Sequence, residues 1–310
     1  MSKKSELRRL IAAPEILVLP GIFDGYSTRL LKASGFAAGF ITGAGISEAS
    51  LGWADQGIMG LEENLRVSRA LAACCDVPVI ADADTGYGNA VNVHFTVRAF
   101  ENAGLAGVMI EDQVWPKRCG HMKGKQVISA AEGAGKIRAA AEARLDPETL
   151  IMSRTDALAT HGLDEAIRRL NLYAEAGADL LFADALLSRE HIATVVKNVS
   201  KPLCVNMGFG IRQRSTTPLI SAKELQDLGV AVVVYPRMLT AAAIQGMKNA
   251  IAALQESLDT GAVVERPELL VSFEELNELV GIEELEQIEQ RYLTSEQYLQ
   301  KYGDAAHEKK

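Results

Sequence analysis

The chain has 310 residues, of which 48% are apolar, 23% charged and 5% aromatic, a make-up that excludes disordered and collagen-like chains and allows one large core. Its 32 basic and 40 acidic side chains leave a net charge of −8, so the surface as a whole repels nucleic-acid backbones and anionic lipid. No run approaches the roughly 18 consecutive apolar residues of a membrane helix, so neither nucleic acid nor membrane is an expected partner. The 4 cysteines, with Cys74 and Cys75 adjacent, form no secreted disulfide framework and read as free thiols. The N-terminus starts basic and turns apolar, but Pro14, Glu15 and Pro20 break the run and no small-residue cleavage site follows, so a cytoplasmic protein is expected.

In chain order, the apolar run at residues 16–19 reads as a first strand and residues 24–32 as the helix after it. A rhythm then recurs: an amphipathic helix, a glycine, and a short apolar run ending in a polar residue. Gly35 precedes residues 37–42, Gly104 precedes 106–112, Gly177 precedes 179–184 and Gly229 precedes 230–235. Each glycine suits a left-handed helix C-cap. Runs such as Val230 to Val234 are continuous rather than alternating, as in strands covered on both faces. The same criteria place strands at 78–81, 149–153 and 202–205, and helices near 61–73, 92–102, 130–143, 163–175, 188–197, 221–227 and 241–258. Alternating strands and helices in this number predict a closed parallel (β/α)8 TIM-type barrel over residues 1–258. An open doubly wound sheet should carry a Gly-rich dinucleotide turn after its first strand, and Pro20-Gly21-Ile22-Phe23-Asp24 is not one. Residues 259–310 hold acidic helical segments around Phe273 and Ile282, a C-terminal helical extension expected to cap the barrel or bind another subunit.

Such barrels build their active sites at the C-terminal strand ends. Here those ends are polar: Asp82-Ala83-Asp84 after the third, Glu111-Asp112 after the fourth, Arg154-Thr155-Asp156 after the fifth, Asp184 after the sixth and Asn206 after the seventh. Burying so many carboxylates without compensation costs several kcal/mol per ion, which calls for a cation. An all-oxygen donor set suits Mg²⁺, or Mn²⁺, and argues against zinc. Each acid taken singly has a second reading, pairing with Arg154 or capping the next helix. The loop Lys117-Arg118-Cys119-Gly120-His121 sets a thiol among cations that favour its ionised form, and its glycines would let it close as a lid. Cys119 is therefore a candidate acid–base group or nucleophile, beside the plainer reading of a cysteine in a basic surface loop. Thr42-Gly43-Ala44-Gly45 offers backbone N–H groups to an anion, although a tight strand-to-helix turn looks the same.

These motifs resemble the isocitrate lyase and phosphoenolpyruvate mutase superfamily, most closely its methylisocitrate lyase and dimethylmalate lyase branch, over about residues 17–247. The resemblance is carried by Ser50-Leu51-Gly52 with Asp55, Asp82-Ala83-Asp84-Thr85-Gly86-Tyr87-Gly88, Ile110-Glu111-Asp112-Gln113 and, above all, Lys117-Arg118-Cys119-Gly120-His121. The Cys-Gly-His element sets the carbon–carbon lyases apart from the phosphorus-handling members. By resemblance, Asp84 is the principal metal ligand, with Asp82, Asp55 and Glu111 holding Mg²⁺ directly or through water. Thr42, Gly43 and Ala44 fall on the segment that binds the α-carboxylate of the keto product. Arg154 matches the substrate-binding arginine, Gly120, Asp184 and Asn206 belong to the same binding set, and Cys119 matches the catalytic lid thiol. The resemblance also implies a homotetramer built from dimers, with the eighth helix exchanged between subunits.

Two departures from the family pattern stand out. Asp184 occupies a position where the lyases usually carry Glu, and Asn206-Met207-Gly208-Phe209-Gly210 lacks the hydroxyl-bearing pattern that holds a further carboxylate. Either Arg212 or Arg214 supplies that charge, or the substrate is a dicarboxylate such as an alkylated malate. The expected enzyme is a Mg²⁺-dependent carbon–carbon lyase that cleaves a 2-hydroxy di- or tricarboxylic acid, of methylisocitrate or alkylmalate type, to pyruvate or glyoxylate and a carboxylic acid. Glu111, Asp55, Asp184 or a metal-held water would take the hydroxyl proton. Arg154, Lys117, Arg118 and His121 would hold the carbanionic half while Cys119 protonates it. The competing expectation within the same superfamily is an oxaloacetate decarboxylase or hydrolase.

Overall fold

Strand and helix alternate through the computed structural model, which describes residues 1–120, 122, 124–213 and 218–302. After an N-terminal helix α1 (Lys3–Ile11) come β1 (Leu17–Ile22), α2 (Gly25–Ala33), β2 (Gly39–Ile41), the short α3 (Gly43–Ile46) running into a π-helical turn at Ser47–Leu51, α4 (Leu61–Ala73), β3 (Val79–Asp82) and α5 (Ala90–Asn102). There follow β4 (Gly107–Glu111), α6 (Ala130–Ala143), β5 (Leu150–Thr155), α7 (Ala157–His161), α8 (Leu163–Glu175), β6 (Leu180–Ala183), α9 (Arg189–Asn198), β7 (Leu203–Asn206), α10 (Ala222–Asp227), β8 (Val232–Tyr235) and α11 (Met238–Thr260). The 8 strands close a parallel barrel in sequence order, β1 pairing β8 with Leu17 opposite Val232. The expected fold class is thus the observed one.

The chain divides into two compact units, Met1–Gln245 and Gly246–Lys310. The second carries α12 (Phe273–Leu279), α13 (Ile282–Tyr292) and α14 (Ser295–Tyr302). Ser272 opens α12 with a capping box, its hydroxyl accepting from the Glu275 N–H while the Glu275 carboxylate accepts from the Ser272 N–H. Among the described residues no helix is long and apolar enough to cross a membrane.

Side-chain parity explains the continuous apolar runs. Leu17 and Leu19, Leu150 and Met152, Leu180 and Phe182, and Val232 and Val234 stand two residues apart and fill one cluster inside the barrel. Their neighbours Ile151, Leu181 and Val233 face outward into a second cluster with Leu31, Val97, Leu170 and Val195 of the surrounding helices. The four rhythmic glycines are left-handed, with φ of 76° at Gly35, 91° at Gly104, 114° at Gly177 and 89° at Gly229. The next N–H in each case reaches back to a buried residue of the helix: Phe36 to Leu31, Leu105 to Phe100, Ala178 to Tyr173 and Val230 to Leu225. This is the six-to-one bond of the Schellman motif, repeated at these four helix-to-strand joints.

α1 is an element the sequence reading did not place. Only Leu7 and Ile11 of it are buried, joining the interior cluster. Arg8 donates to the carbonyls of Pro147 and Glu148 and pairs with Asp179, all just ahead of β5 and β6, so α1 closes the end where the strands begin. β1 also runs past Pro20, because Gly21 and Ile22 carry its pairing to β2.

Candidate active site

At the opposite end the chain leaves β3 through Asp84, whose φ of 49° is left-handed. The Glu111 N–H donates to the Asp84 carbonyl at 2.9 Å, and the Asp84 N–H donates to Asp82 Oδ1 at 3.0 Å. A strained non-glycine residue persists only where its surroundings impose it, and such positions cluster at functional sites. Both carboxylates are buried. Gly43 opens α3 beside them: a Cβ there would lie 3.1 Å from Asp82 Oδ2 and 3.5 Å from Asp84 Oδ1. Thr42 caps the same turn, its hydroxyl accepting from the Gly45 N–H at 3.3 Å, and Thr42 and Ala44 line the cavity at the strand ends.

The lid segment lies down on this mouth. Gln113 pins Arg118 at both backbone groups, accepting from its N–H at 2.9 Å and donating to its carbonyl at 2.8 Å, while the Cys119 N–H donates to the Asp55 carbonyl at 3.1 Å. Lys125 stitches the far side, donating to the Gly120 carbonyl at 2.5 Å and to Asp156 Oδ1 at 2.7 Å. Gly120 presses so close that a Cβ would fall 1.8 Å from Asp184 Oδ2 and 2.4 Å from Arg154 Nη2. Lys117 is buried, its ammonium paired with Asp55 and 2.7 Å from Asp84 Oδ1. The Arg118 side chain is exposed, and His121 lies outside the described residues.

The strand-end acids divide into two kinds. Asp112 is saturated, accepting from Thr155 Oγ1, the Asp156 N–H, Arg169 Nη1 and the Tyr173 hydroxyl at 2.7 to 3.1 Å, and Asp156 is held by Lys125 and by two bonds from Arg154. These two serve the frame. Glu111 Oε2 lies 3.3 Å from Arg154 Nε, but Glu111 Oε1 and Asp84 Oδ2 are buried without a hydrogen-bond partner among the described residues. Asp184 lies 3.4 Å from Arg154 Nη2 and accepts from Asn206 Nδ2 at 3.2 Å. The Phe182 ring supports the Arg154 guanidinium 5.5 Å from its centroid.

Burial pushes Asp84 up to about 7, with Lys117 opposing and Asp82 and Asp55 adding to the rise. Burial also raises Glu111 well above the ordinary carboxylate range, against the pull of Arg154 and Lys117. For Lys117 burial disfavours the charge, but Asp84, Asp55, Glu111 and Asp82 outweigh it and hold the ammonium firmly protonated. This is an acid-rich mouth short of positive charge. Among the described residues no three His, Cys, Asp or Glu side chains converge as direct ligands of one ion. Mg²⁺ keeps several waters and needs only one or two carboxylates, so orphaned oxygens on Glu111 and Asp84, flanked by Asp82 and Asp55, fit such an ion held partly through water.

Three contributors escaped the sequence reading. Gln113 and Lys125 anchor the lid, a role set by neighbours that only the closed loop brings together. Arg237, in the turn after β8, places Nη2 3.6 Å from Cys119 Sγ. Among the described residues the cation at the thiol thus comes from the barrel rim. Arg212 is exposed, and Arg214 lies outside the described residues.

A lid-covered mouth of acids on a (β/α)8 barrel places the chain in the phosphoenolpyruvate mutase and isocitrate lyase superfamily: the family model for phosphoenolpyruvate phosphomutase matches residues 7–255. Among its relatives, 2,3-dimethylmalate lyase of Eubacterium barkeri is 38% identical over 294 residues, covering 95% of this chain and 99% of that one. The solved structure of oxaloacetate acetylhydrolase in complex with 3,3-difluorooxalacetate superposes with a TM-score of 0.86 at 32% identity, covering 93% of this chain and 96% of that one. Phosphonopyruvate hydrolase, solved with oxalate and Mg²⁺, gives 0.83 at 29%, covering 95% and 100%. The family expected from the motifs is the family matched.

Proposed function

We propose that the protein is a Mg²⁺-dependent lyase that cleaves the C2–C3 bond of a 2-hydroxy acid bearing a carboxylate on C3, with an alkylated malate as the substrate type. The observation that carries this reading is the closed lid, which sets a thiol over a cavity walled by Asp55, Asp82, Asp184 and Arg154. The similarity to dimethylmalate lyase over almost the whole of both chains supports the substrate class. Asp84, Asp82, Asp55 and Glu111 would hold the ion, which when bound supplies a Lewis acid that eases loss of the hydroxyl proton. Glu111, meeting the ion through water, takes that proton on Oε1. The O–H electrons form the C2 carbonyl, the C2–C3 bond breaks, and its electron pair passes to C3 and its carboxylate. Cys119 then gives its proton to C3. Arg154 and the first turn of α3 at Thr42, Gly43 and Ala44 orient the keto-acid half, and Gly120 admits the lid. By the same resemblance the chain assembles as a tetramer built from dimers.

A screen of dimethylmalate, other substituted malates, methylisocitrate and isocitrate with Mg²⁺ should release pyruvate or glyoxylate from at least one of them. A second reading, cleavage of oxaloacetate, is favoured by the likeness to oxaloacetate acetylhydrolase. Consumption of oxaloacetate with no keto acid released from any hydroxy acid would select it.

A further inference from the structure

Arg237 owes its position to a glycine on the opposite edge of the barrel seam. At Gly21 of β1 a Cβ would lie 2.5 Å from the backbone of Pro236, so only a bare backbone lets the chain leaving β8 pass so close. The Arg237 N–H donates to the Gly208 carbonyl at 3.2 Å, which fixes the turn from the exit of β7. Its Nη1 is paired with Glu48 of the π-helical turn, and Nη2 lies 3.6 Å from Cys119 Sγ and 3.9 Å from Asp55 Oδ2, beyond hydrogen-bond reach of the latter. Glu48 thus orients the fork, and Nη2 faces the cavity beside the thiol.

We propose that Arg237 is the residue that grips the second carboxylate of the substrate, the one on C3, and so selects dicarboxylates over 2-hydroxy monocarboxylates. The inference rests on the lyase reading for what Cys119 does. A thiol that protonates C3 must stand about 3 to 3.5 Å from it. The carboxylate carbon is one bond, about 1.5 Å, from C3. A guanidinium nitrogen 3.6 Å from that sulfur is therefore within reach of the carboxylate oxygens. Among the described residues the buried cations of the mouth have other tasks: Lys117 pairs with Asp55 and Asp84, Lys125 holds Gly120 and Asp156, and Arg154, bonded to Asp156, is assigned to the keto-acid half. As C2–C3 breaks, charge flows into this same carboxylate, so the contact strengthens in the transition state. Arginine suits the task, since its planar fork serves Glu48 and a second carboxylate at once.

Lactate and malate share the 2-hydroxy acid end and differ in the second carboxylate. Calorimetry on the Mg²⁺-loaded full chain should show malate binding about tenfold or more tighter than lactate. In Arg237→Met that preference should vanish while lactate binds as before, and cleavage of the best substrate should fall about 10²-fold or more in kcat/KM. Arg237→Gln, which keeps a donor for Glu48, carries the same prediction and stands in if the methionine variant does not fold. A malate preference that survives in either variant, or is missing from the wild type, overturns the assignment. If the preference depends on Arg237 but no hydroxy acid is cleaved, the lyase reading fails and Arg237 stands. If cleavage is found and the neutral variants match the wild type, Arg237 fails and the lyase reading stands.

Discussion

At Gly120 a single methyl group decides whether the lid can close, since its Cβ would overlap the Asp184 carboxylate. Gly120→Ala should fold normally, because the clash arises only with the loop down. Its turnover should drop about 10²-fold, the scale of an ångström-sized misplacement. Stopped-flow kinetics together with a thermal melt would check this, and undiminished turnover would mean the closed lid is dispensable. Asp184, one of the two departures from the family pattern, lines the mouth itself. Although one methylene shorter than the usual Glu, it lies against Gly120, near Arg154 and within hydrogen-bond reach of Asn206. The Arg237 contact was illegible beforehand: an arginine after a strand is unremarkable until Gly21 and Pro236 bring two ends of the barrel sequence together.

Among the elements, the eight strands and their helices were readable because their signals are local: an apolar run for each strand and, at four joints, a glycine after the helix. Which of the strand-end acids face inward is settled by parity, which the sequence reading did not use. Ile80 and Met109 lie in the interior cluster, so Asp82 and Glu111 two residues on point into the mouth, whereas Asp112 points outward to Arg169 and Tyr173. The short α3 and the polar α1 were not readable, because glycine-rich or charged helices are held by caps and ion pairs that the tertiary structure supplies. The clip that holds α1 offers a test. Glu101 accepts from Lys4 Nζ, Thr149 Oγ1 and the N–H groups of Leu145 and Asp146. Burial pushes its pKa up, but these four donors outweigh it and leave it below the ordinary 4.5. Stability from the ionised form is therefore full above that ordinary value and is lost as pH falls through the lower folded value. Glu101→Gln should cost about 1 to 3 kcal/mol at pH 7. The gap in melting temperature from wild type should narrow in acid, and a constant gap from pH 7 to 3 would show that the charge contributes nothing.

At the scale of the whole molecule, the barrel turns side chains far apart in sequence into one acid-rich mouth. Residues from the ends of β3 to β8 meet there, negative charge exceeds positive, and the lid adds both a cation and a thiol. Neither the barrel alone nor the lid motif alone defines an activity, since the fold hosts many. Their conjunction does. In the proposed reaction Cys119 delivers a solvent-exchangeable proton to the carbon released by C2–C3 cleavage. The most direct measurement is to run the Mg²⁺-supported cleavage of dimethylmalate, or of the best acid from the screen, in D₂O and follow both products by NMR. The wild type should yield a keto acid and a carboxylic acid bearing one deuterium at C2, and Cys119→Ser should lose that turnover while still binding Mg²⁺ and pyruvate. A deuterium-free acid, or a serine variant that cleaves at the wild-type rate, would contradict it.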